Sequence, residues 1–245
     1  MRGKVIASTA VLIMIFLLSV GLPVATGETV PEYTVEVNRV AEIGGWGLVT
    51  VNDTVNIRST STAPLADVPI GLPRDLTKGL KYLAARDDMG IPLRVERDLD
   101  STSETYWFKV NFPRTLAYNE TYRFTVTSLF TNVLVPAPQG FEYRFVTTPI
   151  FRVRGTAENM TIIAGAESKF TIPQEFNFTE TSEGGRMHLR GYFAHIEPYT
   201  AKSIVLNMTS TTQFIVRVPH VSREIRFGED GTIRVSDTYD FENLA

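Results

Sequence analysis

Beyond residue 30 the apolar residues fall at every second position, the period of a strand with one buried and one wet face. Tyr33, Val35 and Val37 alternate with polar neighbours. The same rhythm runs through residues 107–112, 122–126, 141–145, 151–153, 204–206 and 214–218. These segments are rich in β-branched and aromatic residues and bounded by turn formers, so about a dozen strands are expected. Pro64, Pro69, Pro73, Pro92, Pro113, Pro136, Pro138, Pro173 and Pro198 punctuate them and exclude most long helices. Residues 80–86, the polar turn Asp87-Asp88-Met89-Gly90 and residues 91–95 read as a strand, a turn and a returning strand. A helix over residues 76–85 competes, because Leu76, Leu80 and Leu83 also fit helical spacing. The expected fold is all-β, an antiparallel β-sandwich or pair of saddle-like sheets.

The first 27 residues follow another pattern. Arg2 and Lys4 precede an uncharged apolar run from Val5 to Val20, and Pro23 and Ala25-Thr26-Gly27 supply a break and a small-residue site. These are the parts of a signal peptide. The run extends to about Val24, near the roughly 20 residues that span a bilayer, so residues 1–27 are expected to be a signal peptide or an N-terminal anchor. Either way the remainder lies outside the cytoplasm, in the ER lumen or on the outer face of the cell membrane. The 245-residue chain is 43% hydrophobic and 21% charged with a formal charge of −3, which becomes −5 once residues 1–27 are removed. That apolar content builds a core, and the mildly acidic balance excludes a nucleic-acid footprint. There is no cysteine, so disulfides and thiolate metal sites are excluded for an exported protein that would ordinarily use them.

Self-comparison reveals an internal echo. Gly47-Leu48-Val49-Thr50-Val51-Asn52-Asp53-Thr54 and Gly231-Thr232-Ile233-Arg234-Val235-Ser236-Asp237-Thr238 share Gly, Val, Asp and Thr in place, a period of 184 residues. Residues 33–37 and 214–218 match in pattern when the spacing is adjusted by three. Three segments are therefore expected: 1–27 for export, 28–212 as a β-rich extracytoplasmic domain, and 213–245 as the first strands of a second related β-unit. Ending at Ala245 would leave that second unit with open edges, to be completed by further chain or by a partner.

The chemistry-bearing residues are sparse. His188, His195 and His220 are the only imidazoles, no two closer than seven residues, and no zinc, nucleophile-elbow or phosphate-loop motif is present. No catalytic, metal or cofactor residue is assigned. Asp87-Asp88, Asp98/Asp100 and Glu229-Asp230 are acidic pairs that a glycosidase would need, but they stand beside Gly or polar runs where acids make turns. Trp46 and Trp107 are expected at strand ends or in the core rather than stacked on a sugar. Five Asn-x-Thr triplets begin at Asn52, Asn119, Asn159, Asn177 and Asn207 and are candidate N-glycosylation sites. Turn-like neighbours favour Asn119 and Asn177, whereas Asn52 and Asn207 lie in strand-like runs.

Residues 107–126, WFKVNFPRTLAYNETYRFTV, followed by Thr131-Asn132-Val133-Leu134-Val135-Pro136-Ala137-Pro138, resemble the ribophorin I family, the non-catalytic lumenal subunits of oligosaccharyltransferase. The family has a strand, a proline-containing link, a second strand and a Val-Leu and Pro-x-Pro stretch in this order. Residues 218–225 and 231–237 resemble the opening of its second unit. A looser similarity extends to the saddle-like N-terminal domain of gluzincin aminopeptidases, whose zinc motif is absent. The resemblance implies a non-enzymatic accessory subunit supporting N-glycosylation. It would scaffold the transferase or present acceptor polypeptide through exposed strand edges and shallow aromatic grooves. The implied partners are a membrane-embedded glycosyltransferase subunit and extended acceptor chains, with membrane association through the N-terminal segment or a C-terminal helix missing from this sequence. The alternatives are a glycosylated surface-layer or adhesion module and, less favoured, a hydrolase built on an acidic pair.

Overall fold

A computed structural model describes residues 32–98, 101–102, 104–210, 216–229 and 231–243. The export segment at residues 1–27 lies outside them. Seventeen strands, one short α-helix, α1 (Arg74–Thr77), and a single 3-10 turn at Gly45–Gly47 are the regular elements of the described residues. The first half holds β1 (Tyr33–Ile43), β2 (Val49–Ser59), β3 (Leu65–Pro73), β4 (Leu80–Asp87), β5 (Pro92–Arg97), β6 (Thr105–Leu116) and β7 (Thr121–Phe130). Next come β8 (Leu134–Ala137), β9 (Gly140–Val146), β10 (Ile150–Phe151), β11 (Gly155–Gly165) and β12 (Lys169–Thr171). The last are β13 (Phe178–Glu183), β14 (Arg186–Phe193), β15 (Ser203–Thr209), β16 (Val216–Phe227) and β17 (Ile233–Asn243).

The period-two pattern is realised as an eleven-stranded sheet in the order β10-β3-β6-β5-β4-β7-β2-β1-β11-β14-β13, and a four-stranded sheet, β12-β15-β9-β8. Along β1 the odd residues from Tyr33 to Ile43 are buried, and along β2 the odd residues from Val49 to Ser59. They pack with Phe124, Val126 and Phe130 of β7 and with Phe141, Tyr143, Phe145, Ile204, Leu206 and Met208 of the smaller sheet in one contiguous core. Rings meet in this core, Phe130 against Phe145 at 5.0 Å between centroids and nearly edge-on.

Three differences from the sequence pattern have local causes. The competing helix over residues 76–85 is confined to α1, and β4 begins at Leu80. Gly79 sits where a Cβ would stand 2.1 Å from the carbonyl oxygen of Thr131, and its own carbonyl accepts from the Thr131 amide, so strand pairing with β7 starts there. Pro113 does not end its strand: β6 runs on to Leu116, because pairing with β5 reaches only as far as Asn111 and no ladder bond is demanded of the proline. Finally, β1 and β11 pair in parallel, so the large sheet is mixed rather than purely antiparallel.

β16 and β17 form a separate two-stranded sheet, and all of its described side chains are exposed. Its geometry copies the β1–β2 ribbon. Ile43 faces Val49 and Arg39 faces Asp53 in the first; Phe227 faces Ile233 and Arg223 faces Asp237 in the second, each 184 residues further on. The turns match as well. Gly44 donates to Leu48 and Gly228 to Thr232, while Gly47 and Gly231 adopt φ of 73° and 80°, a region where only glycine is unstrained. Further along β16 the ladder is interrupted by an irregularity between Arg217 and His220, and Phe214 and Ile215 lie outside the described residues.

Candidate functional site

On the outer face of the large sheet the even residues of β1 and β2 and the odd residues of β7 point away from the core. Register brings polar side chains into rows across four strands. Asn38 faces Thr54, Thr54 faces Thr125, and Thr125 faces Arg86; one step along, Glu36 faces Asn56, which faces Arg123. Two adjoining concavities sharing Thr54 and Arg123 lie over these rows. One of about 200 Å³ is lined by Glu36, Asn38, Asn56 and the shared pair; the other, of about 460 Å³, adds Arg86, Asp88, Thr125 and Thr127.

The hydroxyls of Thr54 and Thr125 stand 3.5 Å apart, and Thr127 Oγ1 donates to Asn52 Oδ1 at 2.8 Å. Arg123 has no carboxylate at ion-pair distance among the described residues. Amides and hydroxyls both donate and accept, so such rows can match the alternating N–H and C=O groups of an extended chain without reading its side chains. The lining is mostly threonine, asparagine, arginine and carboxylates, with Phe124 its one aromatic, in place of the aromatic groove expected from sequence.

Of the acidic pairs, Asp87 is a turn former. Asp87 is buried, and its Oδ1 accepts the amide protons of Met89 and Ile91, closing the β4–β5 turn. Asp98 is buried in an ion pair of 2.8 Å with Arg152, whose guanidinium also covers the Trp107 ring at 5.0 Å. Asp100 and Asp230 lie outside the described residues, and Glu229 is exposed. Trp107 is buried edge-on to Tyr199, while Trp46 is exposed in the β1–β2 turn with φ of 68°. His188 is half-buried on β14, and His195 and His220 are exposed. Among the described residues no cluster of three metal-ligating side chains occurs, and no helix is long and apolar enough to cross a membrane.

The five acceptor triplets are scattered. Asn119 occupies the β6–β7 turn with φ of 69°, exposed, its Oδ1 accepting from Arg58 Nε and Nη2. Asn177 is exposed just before β13, and Asn159 and Asn207 are exposed on β11 and β15. Asn52 is half-buried and engaged by Thr127.

Strong electrostatics sit inside. Arg39 and Asp53 form a two-pronged pair, Nε to Oδ1 at 2.6 Å and Nη2 to Oδ2 at 2.8 Å, both side chains buried. Arg39 Nη1 reaches across to the Val146 carbonyl of β9 at 2.8 Å, and Phe145 lies 5.1 Å from the guanidinium, so the pair ties the two sheets together. Burial pushes the Tyr143 hydroxyl well above the usual phenol range, against the opposing pull of Arg39. Sequence reasoning missed Arg39. The available signal was a lone arginine in the inward phase of an otherwise apolar strand.

Among solved structures, the chain is similar to an M1 zinc metallopeptidase from Deinococcus radiodurans, at 15% identity and a TM-score of 0.44. That match covers 85% of this chain and 48% of the other. An aminopeptidase N family protein from Idiomarina loihiensis is similar at 13% identity and a TM-score of 0.38, over 83% of this chain and 32% of that one. The chain thus spans about half or less of the length of these proteins. No curated protein matches its sequence. The pattern of the ribophorin I family, by contrast, matches residues 34–245, from β1 through β17, and the chain belongs to that family.

Proposed function

We propose that this chain is a non-catalytic accessory subunit of protein N-glycosylation, acting outside the cytoplasm beside a membrane-embedded glycosyltransferase. It holds acceptor polypeptide in extended form across the outer face of β1, β2, β7 and β4. The observation that carries this reading is the set of amide and hydroxyl rows flanking Arg123. They offer an extended main chain hydrogen bonds with little side-chain preference, as a subunit serving many acceptors requires. Catalysis belongs to the transferase subunit; in this chain Asp87 is engaged in a turn and Asp98 in an ion pair with Arg152.

Affinity purification of the full tagged chain from membranes tests the reading. The multi-span transferase is expected to accompany it, and its clean absence from the purified material overturns the accessory role. An Asn-x-Thr peptide titrated against the same chain should perturb the amide signals of Asn56 and Arg123. Arg123→Ala should weaken that binding several-fold. Glycans, if carried, belong at Asn119, Asn159, Asn177 and Asn207, where the side chains are exposed, in preference to Asn52. Mass spectrometry of tryptic glycopeptides reads this directly.

A further inference from the structure

Two of the five Asn-x-Thr triplets converge on one exposed ring. Asn159 of β11 lies directly opposite Tyr192 of β14. The next pair, Met160 with Gly191, is buried, so Asn159 and Tyr192 point to the outer face of the large sheet. On the other side of β14 the ladder with β13 ends at Phe178 and Gly191. One residue earlier stands Asn177, exposed between buried Phe176 and half-buried Phe178, and the same register brings it level with Tyr192.

Tyr192 is 60% exposed, with no hydrogen bond and no ring contact among the described residues, and the side chains of Asn159 and Asn177 are equally free. Opposed residues on neighbouring strands carry their Cβ atoms about 5 Å apart. A pyranose bonded to Asn159 Nδ2 therefore stands beside the phenol ring, and its axial C–H groups suit the negative face of the π system. The strand spacing of about 4.8 Å sets Asn177 at a similar distance on the other side. Asn207 supplies the contrast: its cross-strand neighbours are Thr171 and Glu142, neither of them aromatic.

We propose that Tyr192 is a platform for the chain's own N-linked carbohydrate. The first pyranose on Asn159 packs against one side of the ring and the first pyranose on Asn177 against the other, with the sugar hydroxyls left in water. Attachment is made by a glycosyltransferase from a phosphate-activated glycosyl donor. The asparagine Nδ2 bonds to the anomeric carbon and loses one proton to base, while the donor's C–O bond breaks and the phosphate leaves with its electron pair. Tethering beside the ring spares the contact the entropy of capturing a free ligand. Asn38 of β1 pairs with Asn159, so the glycan stands at the margin of the polar rows and confines an extended chain to β1, β2, β7 and β4. The inference rests on the extracytoplasmic location within the proposed function, and needs this chain as a transferase substrate rather than as a subunit.

The full chain purified from its own membranes tests this. Glycopeptide mass spectrometry should find sugar on Asn159 and Asn177. In NMR spectra of the glycoprotein, protons of the first sugar should be moved upfield by the ring current. Tyr192→Phe should keep that displacement, and Tyr192→Thr, which preserves strand propensity, should abolish it. Thermal melts complete a cycle: Asn159→Gln together with Asn177→Gln should lower the midpoint by about 2 °C when Tyr192 is present and leave it unmoved in Tyr192→Thr. Asn207→Gln should be silent in both backgrounds. Bare asparagines at both 159 and 177 overturn the proposal, and so do sugar resonances and a glycan-dependent midpoint that are indifferent to Tyr192→Thr. Either failure leaves the co-purification test of the accessory role untouched.

Discussion

β1–β2 and β16–β17 have the same turn, the same register and the same arginine–aspartate pair, yet one ribbon lies under a second sheet and the other is bare. The two-pronged geometry is nearly identical in both, so the hydrogen bonds themselves do not distinguish them. Surroundings do. Arg39 and Asp53 have lost nearly all contact with water and depend on one another and on the Val146 carbonyl for the hydration they gave up. Arg223 remains 61% exposed and Asp237 24%, so salt and water screen their attraction. One motif is thus a structural tie in the first ribbon and a surface feature in the second.

Removing one partner of each pair gives the sharpest contrast. Asp53→Ala strands a buried guanidinium and should cost about 3–5 kcal/mol in denaturant unfolding. Asp237→Ala in dilute solution should leave the midpoint unchanged within error. Equal losses at the two positions would break the comparison. The covering layer comes next: Phe145→Ala removes the aromatic wall above Arg39 and opens a cavity beside Phe130, for a loss of about 3–5 kcal/mol. Phe227→Ala, at a side chain 77% exposed among the described residues, should be nearly silent.

Tyr143→Phe should go the other way. Its hydroxyl is buried with no hydrogen-bond partner among the described residues, so deleting it should be neutral or stabilising by up to about 1 kcal/mol. The smallest effect lies in the β6–β7 turn. Arg114 and the Ala117 amide hold the Glu120 carboxyl down at about 2. Because that value is depressed on folding, the contribution is complete above about pH 4.5 and disappears as pH falls through 2. Glu120→Gln should therefore differ slightly from wild type at pH 6 and by much less at pH 2, as thermal melts at the two pH values can read.

Much of the architecture was legible because burial on one face imposes period two, and β1, β2, β7, β9 and β15 follow it closely. The strand count fell short because β8, β10 and β12, of two to four residues each, are too brief to display a period. Parallel pairing of β1 with β11 leaves no mark on either strand taken alone. The acidic turn at Asp87 was visible, since its spacing to the following glycine reflects local hydrogen bonding. The rows around Arg123 were not. They exist only once β7 lies between β2 and β4, and those neighbours are about 70 and 40 residues away in the chain. The internal repeat was found through Gly47, Val51, Asp53 and Thr54, yet the arginines that complete its pairs escaped, because a charge in the inward phase of a strand resembles an interruption of the pattern.

The parallel seam between β1 and β11 also sets a timetable. A chain emerging from its N-terminus delivers β1 and β2 together, so that hairpin can close at once, but the outer edge of β1 stays open until residues 155–165 arrive. For more than a hundred residues of synthesis a strand destined for the middle of the sheet is an edge, with its row of amides and carbonyls free to pair with any passing strand. Closing that seam is a long-range event, so folding should be slow relative to domains of similar size built from local hairpins. The step that completes the sheet is then the one most exposed to competition from aggregation, and the one a chaperone would most usefully guard.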